Sequence, residues 1–460
     1  MQANDSSSRR IAFYTVGCRL NQAETALLAD RFGRFGFTQV EFGEPADVLV
    51  VNTCSVTDEA EADCRRVVRR MLRTSPRAFV AVTGCYAQTS AKQLQAIDGI
   101  DLVLGTQYKM QLPEYVASLP THEKNAKAEL LHTKKIDYEN FSLEGSGEYV
   151  TTRANLKIQD GCQFMCSFCL IPFARGRERS RYIDDAIREA EILAQRGHRE
   201  LVLTGVNIGQ YRDADADLLR LIQRLEDLPE IDRIRISSIE PTTVPDGLLE
   251  YMGSSEKLCR YLHIPLQSGD DRILKAMNRR YSAREYSLFI EKAVRVIPDL
   301  CVGTDIMVGF PGEGKQEFAN TQSLINDLPF AYLHVFSFSS RPGTAAAKHS
   351  NPVSPAIIRR RSQALAAVSR EKRLQFYRRM MFQDVSVLFE TQKASGLWTG
   401  LTDHYVKVGV RSEEDLANTI RPVRISGLID GLALGQLTDD PSNDSTAERI
   451  SVSPLSLLPS

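Results

Sequence analysis

Apolar residues in the first third of the chain fall into short unbroken runs at 11–16 (IAFYTV), 47–51 (DVLVV) and 78–83 (AFVAVT). Runs of this length bounded by turn residues predict strands buried on both faces. Between them the spacing becomes helical: Ala23, Leu27, Leu28 and Phe32 repeat after Asn21, the expected N-cap, and an Arg-rich stretch covers 58–73. Strand alternating with helix predicts a parallel sheet. Residues 118–150 are rich in Lys and Glu, which predicts a connector with a short strand near Leu130. Alternation then resumes, with strand-like runs at 154–158, 200–204, 233–238, 260–264, 301–308 and 331–336. Amphipathic stretches at 182–196, 215–227, 244–252, 283–296 and 314–327 separate them. Six strands with helical crossovers predict a partial (β/α)6 barrel, with chemistry at the carboxyl ends of its strands. A long helix is expected over 356–380. From 384 the runs VSVLFE, WTGLT, HYVKVGV, TIRPVRISG and GLALGQLT predict a small antiparallel β-barrel. The expected class is α/β, divided as 1–117, a linker 118–150, 151–378, a β-barrel 379–445 and a Ser/Pro-rich tail 446–460.

Composition narrows the class. Across 460 residues, 43% are apolar, 25% are charged and the net charge is −1, so any nucleic-acid site must be local. Nine cysteines in so long a chain do not make a secreted disulfide scaffold. The opening MQANDSSSRR lacks the apolar core of a signal peptide, and no apolar run reaches the ~18 residues of a membrane span. The expectation is a cytoplasmic protein with reduced thiols and no membrane partner.

The densest chemistry is Gly161–Cys169, GCQFMCSFC. Thiolates of Cys162, Cys166 and Cys169 can hold three irons of a [4Fe–4S] cluster and leave the fourth iron open to a small molecule. The competing readings are buried thiols or a structural zinc site short of its fourth ligand, although zinc sites show paired Cys or Cys/His sets. Cys18, Cys54 and Cys85 each follow the carboxyl end of a predicted strand. Those ends share the edge of a parallel sheet where ligands bind. The three can form a second three-cysteine site, or be unrelated loop thiols, since Cys is often buried. Cys64, Cys259 and Cys301 read as core. At the strand ends of the barrel stand Gly205, Glu240, His263, Gln267 and Gly309. Glycine there admits a ligand close to the backbone, and Glu240 could take a ribose hydroxyl or an amino group. The 205–210 segment GVNIGQ is not a GxGxxG fingerprint, and neither a phosphate loop nor an HExxH helix occurs. The 356–380 helix carries eight basic residues against one acid, Glu371, making it the best phosphate-contact candidate. From 381 onward, 11 acidic residues face 6 basic ones.

These parts together resemble the methylthiotransferase family of radical S-adenosylmethionine (SAM) enzymes, over nearly the whole chain. The motifs are TVGCRLNQAET, NTCSVTDEA, TGCYAQ, GCQFMCSFCLIPFARGRERSR, HIPLQSGDDRILKAMNRRY, DIMVGFPGE and FSFSSRPGTAA. The last domain resembles TRAM, a module associated with RNA binding. The resemblance implies two [4Fe–4S] clusters, one on Cys162, Cys166 and Cys169 and one on Cys18, Cys54 and Cys85. It also implies SAM on the open iron of the first, in a pocket that includes Phe168, Gly205, Glu240 and Gln267, with Arg175 touching SAM or substrate. Reductive cleavage of SAM would give a 5′-deoxyadenosyl radical, with the reactivity supplied by the cofactor and no side-chain acid or base required. The second cluster would supply or carry sulfur, and a second SAM would methylate it. NTCSVT and GCYAQ look most like the branch acting at C2 of N6-threonylcarbamoyladenosine at position 37 of tRNA. Other branches act on isopentenyladenosine in tRNA or on an aspartate of a ribosomal protein, and the acidic terminal region would suit the latter. The anticodon loop would lie between the α/β domain and the barrel mouth, with the 359–379 basic helix, Arg359, Arg360 and Arg361 included, and the terminal domain holding the stem. An external electron donor and a sulfur source are implied. A radical SAM enzyme with a single cluster, and an iron–sulfur or zinc scaffold that binds RNA without catalysis, are the remaining alternatives.

Overall fold

The computed structural model describes residues 8–55, 59–119, 127–137, 139–143, 147 and 151–439. The 446–460 tail and much of the 118–150 connector lie outside them. The chain forms two compact units. One holds the described residues up to Phe376 with Asp403–Tyr405; the other holds Tyr377–Thr402 and the described residues from Val406 on.

The first unit opens with a six-stranded, all-parallel sheet of β1 (Arg10–Thr15), β2 (Thr38–Val40), β3 (Val48–Thr53), β4 (Phe79–Gly84), β5 (Leu102–Leu104) and β6 (Glu129–Leu131), in the order β2-β1-β3-β4-β5-β6. Successive side chains on a strand point to opposite faces. Val48 and Val50 of β3 therefore pack with Leu28 and Phe32 of helix α1 (Arg19–Arg34), while Leu49 and Val51 pack with Val67, Val68 and Met71 of α2 (Glu59–Thr74). The strand order reverses at β1. In open α/β sheets that switch point, at the carboxyl ends, is where ligands bind.

Six further parallel strands follow. These are β7 (Arg153–Lys157), β8 (Glu200–Thr204) and β9 (Arg233–Ile236), then β10 (Tyr261–His263), β11 (Cys301–Val308) and β12 (Tyr332–Ser337). Each trio is hydrogen-bonded throughout, and single bridges at Ile234–Leu258 and Ser238–His263 join them. This is the expected partial (β/α)6 barrel. Leu156, Leu203, Ile234, Leu262, Ile306 and Leu333 face outward into the main core with the crossover helices. The alternate residues face the lumen, where Glu200 and Arg235 pair at 2.7 Å.

The second unit contains a closed barrel of β13 (Asp384–Gln392), β14 (Leu397–Thr402), β15 (Lys407–Arg411), β16 (Ile420–Ile429) and β17 (Leu432–Leu437), in the order β13-β14-β15-β17-β16. All its pairings are antiparallel except β15 with β17. Among the described residues, no helix is long and apolar enough to cross a membrane.

Candidate functional site

Cys18, Cys54 and Cys85 end three neighbouring strands. Thr15 is level with Asn52, and Thr53 with Gly84, so the cysteines leave β1, β3 and β4 side by side at the switch point. Two of the three, Cys18 and Cys85, follow a glycine that the turn requires. Gly84 has φ +100°, and a Cβ there would fall against the Thr53 backbone; Gly17 has φ +110°, and a Cβ would lie 3.0 Å from Cys54 Sγ. Cys18 is exposed, whereas Cys54 and Cys85 are buried. Burial raises the Cys85 thiol, against the pull of Arg175 and Lys109.

Asn21 is not the N-cap of α1. The helix starts at Arg19 with Cys18 as its cap, which places Asn21 inside the first turn. Its amide donates to the carbonyls of Val16 (2.8 Å) and Thr53 (3.1 Å), tying the cysteine-bearing turns after β1 and β3 together.

The second cysteine set sits in the loop after β7. A short ladder of Gln159–Asp160 with Arg179–Ser180 closes the base of the loop. Gly161 has φ +71°, and a Cβ there would overlap the Arg177 carbonyl. Each sulfur receives one N–H donor: Phe164 N to Cys162 (3.5 Å), Ile171 N to Cys169 (3.4 Å) and Arg279 to Cys166 (3.3 Å). Such donors stabilise thiolate ligands of an iron–sulfur cluster. Without a metal, burial pushes Cys162 up to about 11 and Cys169 up to about 12. The other arm of Arg279 pairs with Glu240. Burial nonetheless keeps the Glu240 carboxyl above its ordinary range.

A buried charge network joins α1, which follows Cys18, to the residues just before Cys162. Glu24, on α1, accepts from Lys109 (2.5 Å), Lys157 (2.7 Å) and Arg175 (2.8 Å). Asp160, two residues before Cys162, accepts from Lys157 (2.8 Å), Arg175 (3.0 Å) and Arg179 (3.1 Å). Burial opposes both charges, but the cations outweigh it and hold both carboxyls well below the usual range. Arg175, expected beside SAM or substrate, is only 1% exposed and is committed to Glu24, Asp160 and Asn21. Sequence reasoning missed Glu24, Lys109, Lys157 and Asp160. The available signal was a carboxylate on the apolar face of α1 and a lysine inside a buried strand.

The other sequence candidates are at the barrel mouth. Gln159 Oε1 accepts from the amides of Val206 and Asn207, just after Gly205, at 2.9 and 3.0 Å. Gln267 adopts φ +69° and bonds through its backbone to β11. Phe168 packs against a small cluster of Ile273, Met277, Phe310 and Ala346. Beside both cysteine sets runs a groove of about 1180 Å³. Ser55, Tyr86 and Leu170, each next to a cysteine, line it together with Lys92, Lys134, Lys135, Arg177 and Arg341. Among the described residues no carboxylate lines it, and Phe173 presents an exposed ring.

Residues 156–325 match the model of the Radical SAM superfamily, and residues 10–105 match Uncharacterized protein family UPF0004. The threonylcarbamoyladenosine tRNA methylthiotransferase MtaB of Bacillus subtilis is 35% identical over 90% of this chain and 93% of its own length. The MtaB of Aquifex aeolicus is 34% identical over 90% and 99%. The chain belongs to the radical SAM methylthiotransferase family. A second branch of that family is also similar: the tRNA-2-methylthio-N(6)-dimethylallyladenosine synthase of Ruegeria pomeroyi is 33% identical over 91% of this chain and 97% of its own. Among solved structures, the radical SAM methyltransferase TsrM from Kitasatospora setae superposes with a TM-score of 0.54 at 14% identity, over 74% of this chain and 77% of that one, which shows the fold.

Radical SAM methylthiotransferases use a [4Fe–4S] cluster and SAM, and the donor set at Cys162, Cys166 and Cys169 fits that cluster: three thiols, each with an N–H aimed at its sulfur, in one loop at the barrel mouth. The basic helix, here α3 (Pro355–Arg379), divides by burial. Arg359 and Arg360 are exposed. Arg361 is buried and pairs with Glu313, and it also donates to the Glu313 (2.9 Å) and Gly314 (2.7 Å) carbonyls. It docks the helix and so does not belong with the phosphate-contact candidates.

Proposed function

We propose that the protein adds a methylthio group to C2 of N6-threonylcarbamoyladenosine at position 37 of tRNA. The observation that carries this reading is that the neighbours of Cys54, Cys85 and Cys169, from both three-cysteine sets, line one groove together with several cations. Cys162, Cys166 and Cys169 would hold the SAM cluster, and Cys18, Cys54 and Cys85 a second one that serves the sulfur. Bound there, cluster and SAM supply one-electron chemistry able to reach an aromatic C–H that acid–base catalysis cannot activate. The chain's own residues bind and orient. Phe168, Gly205, Glu240 and Gln267 shape the SAM pocket, with Arg279 fixing Glu240 beside Cys166. Lys92, Lys134, Lys135 and Arg177 line the groove for the phosphates of the anticodon loop, and Phe173 offers a stacking face to an unstacked base. The division into a cluster-bearing domain 1–117, a SAM domain 151–378 and a TRAM-like barrel 379–445 belongs to the same reading, as do a cytoplasmic location and external electron and sulfur donors.

The test is anaerobic turnover of the reconstituted chain with SAM, a reductant and tRNA carrying threonylcarbamoyladenosine, with the nucleosides read by mass spectrometry. The expected product is the 2-methylthio derivative. Formation of 5′-deoxyadenosine without that nucleoside would retain the chemistry and overturn the substrate. Because dimethylallyl-acting relatives are nearly as similar, the RNA carrying that group is assayed in parallel.

A further inference from the structure

The barrel lumen contains a polar cluster made of residues other than those assigned to the iron–sulfur cluster and the SAM pocket. Leu333 and Val335 of β12 and Val302 and Ile306 of β11 face the outer core, so Asp305, Tyr332 and His334 face the lumen. His263, at the end of β10, meets them. Asp305 Oδ1 lies 2.9 Å from His263 Nε2 and 3.3 Å from His334 Nδ1. His263 Nδ1 lies 3.1 Å from the Tyr332 hydroxyl, itself 2.7 Å from that of Tyr261. The Tyr332 ring can cross the lumen because Gly303 has no side chain; a Cβ there would overlap the ring.

With both imidazoles neutral, one proton arrangement satisfies every partner. Tyr332 donates to His263 Nδ1, and His263 Nε2–H and His334 Nδ1–H donate to Asp305. A neutral imidazole with one ring N–H keeps the other nitrogen as an acceptor. His334 Nε2 and Asp305 Oδ2 thus remain as two acceptors, with no partner among the described residues, on side chains that are 51% and 21% exposed. The lumen floor is therefore built to receive hydrogen-bond donors.

We propose that His334 and Asp305 are specificity-determining residues that read hydrogen-bond donors on the N6 substituent of the target adenosine. This rests on the reading of the chain as a tRNA methylthiotransferase and selects between the branches. A threonylcarbamoyl group presents ureido N–H and hydroxyl donors to such a floor. A dimethylallyl group presents only C–H, and its docking would strip water from Asp305 without replacing it. Sites that hydrogen-bond a substrate group reject the analogue lacking it far more strongly than apolar pockets reject an extra methylene.

The experiment uses the reconstituted full chain and two anticodon stem-loop RNAs, one bearing threonylcarbamoyladenosine and one dimethylallyladenosine. Binding is measured by fluorescence anisotropy and turnover by kcat and KM. The wild type is expected to favour the threonylcarbamoyl RNA. His334→Phe should reduce that preference by about tenfold, the upper scale of one unmade hydrogen bond. His334→Gln, which keeps an acceptor, should recover most of it, a rescue that a merely structural role for the ring would not give. A His334→Phe preference equal to that of the wild type, or a Gln variant no better than Phe, overturns the proposal. A wild type that favours the dimethylallyl RNA overturns it together with the substrate reading, so the two failures are distinguishable.

Discussion

Glu24→Gln is the most informative single change in the fold. The side chain keeps its shape and one carbonyl acceptor but loses its charge. In the native protein that carboxylate is buried and meets three cations, Lys109 at 2.5 Å, Lys157 at 2.7 Å and Arg175 at 2.8 Å. Without it Lys157 and Arg175 share only Asp160, which Arg179 also uses. Breaking a buried pair on one side costs about 3–5 kcal/mol, because the remaining charge stays desolvated. At a urea slope of about 3 kcal/mol/M this lowers the unfolding midpoint by about 1 M or more. The control is Glu44→Gln, whose partner Arg10 is 3.4 Å away with both side chains about half exposed. That pair is worth ~1 kcal/mol or less. The pH dependence gives a second reading with a fixed sign. The folded Glu24 carboxyl is held below its unfolded value. Its contribution is therefore complete above the unfolded value of about 4.3 and drains away as pH falls towards the folded one. The wild type should lose its advantage over Glu24→Gln as pH drops below about 4. A Glu24→Gln midpoint within experimental error of the Glu44→Gln midpoint at neutral pH would mean that the network is hydrated and that Glu24 does not hold the fold together.

Three further outcomes are expected. Replacing Cys18, Cys54 and Cys85 together by Ala should lower iron in the anaerobically reconstituted chain from about eight to about four per molecule, each cubane holding four; an unchanged iron content would remove those thiols from the ligand set. Charge reversal at Lys92, Lys134 and Lys135 should weaken tRNA binding and flatten its salt dependence, by about 0.7–0.9 in log–log slope for each phosphate no longer neutralised, as filter binding across a salt series would show. On α3, Arg360→Glu should leave the thermal midpoint unchanged, whereas Arg361→Glu should lower it by several degrees, because Arg361 is buried against Glu313; equal midpoints would deny the docking role.

Much of the fold was legible because its signals are local. Runs such as VLVV and FVAV mark strands buried on both faces, and the observed β3 and β4 are buried along their whole length. The convergence of Cys18, Cys54 and Cys85 was also legible, since parallel strands bring their carboxyl ends to one edge whatever their separation in sequence. What was not legible depends on partners distant in the chain. Asn21 resembles a cap because cap residues and buried amides share a chemistry, and only the neighbouring turn from β3 decides which role it plays. Arg361 lies in a basic run whose members are alike in sequence; its burial against Glu313 separates it from Arg359 and Arg360.

The charge network extends this argument to function. Four cations, Lys109, Lys157, Arg175 and Arg179, surround two carboxylates, Glu24 and Asp160, with little water to screen them. Buried charge in excess of its partners is costly unless further anions lie close by. The next group in electrostatic reach is the Cys85 thiol, which Arg175 and Lys109 both favour as thiolate. Three cysteine thiolates bearing an iron–sulfur cluster would supply negative charge where the cations are in surplus. A network built only to join α1 to the barrel would work as well with charges in balance. The surplus therefore leaves Arg175 and Lys109 favouring the Cys85 thiolate against the burial that opposes it, while Arg175 also holds Asp160, two residues before Cys162.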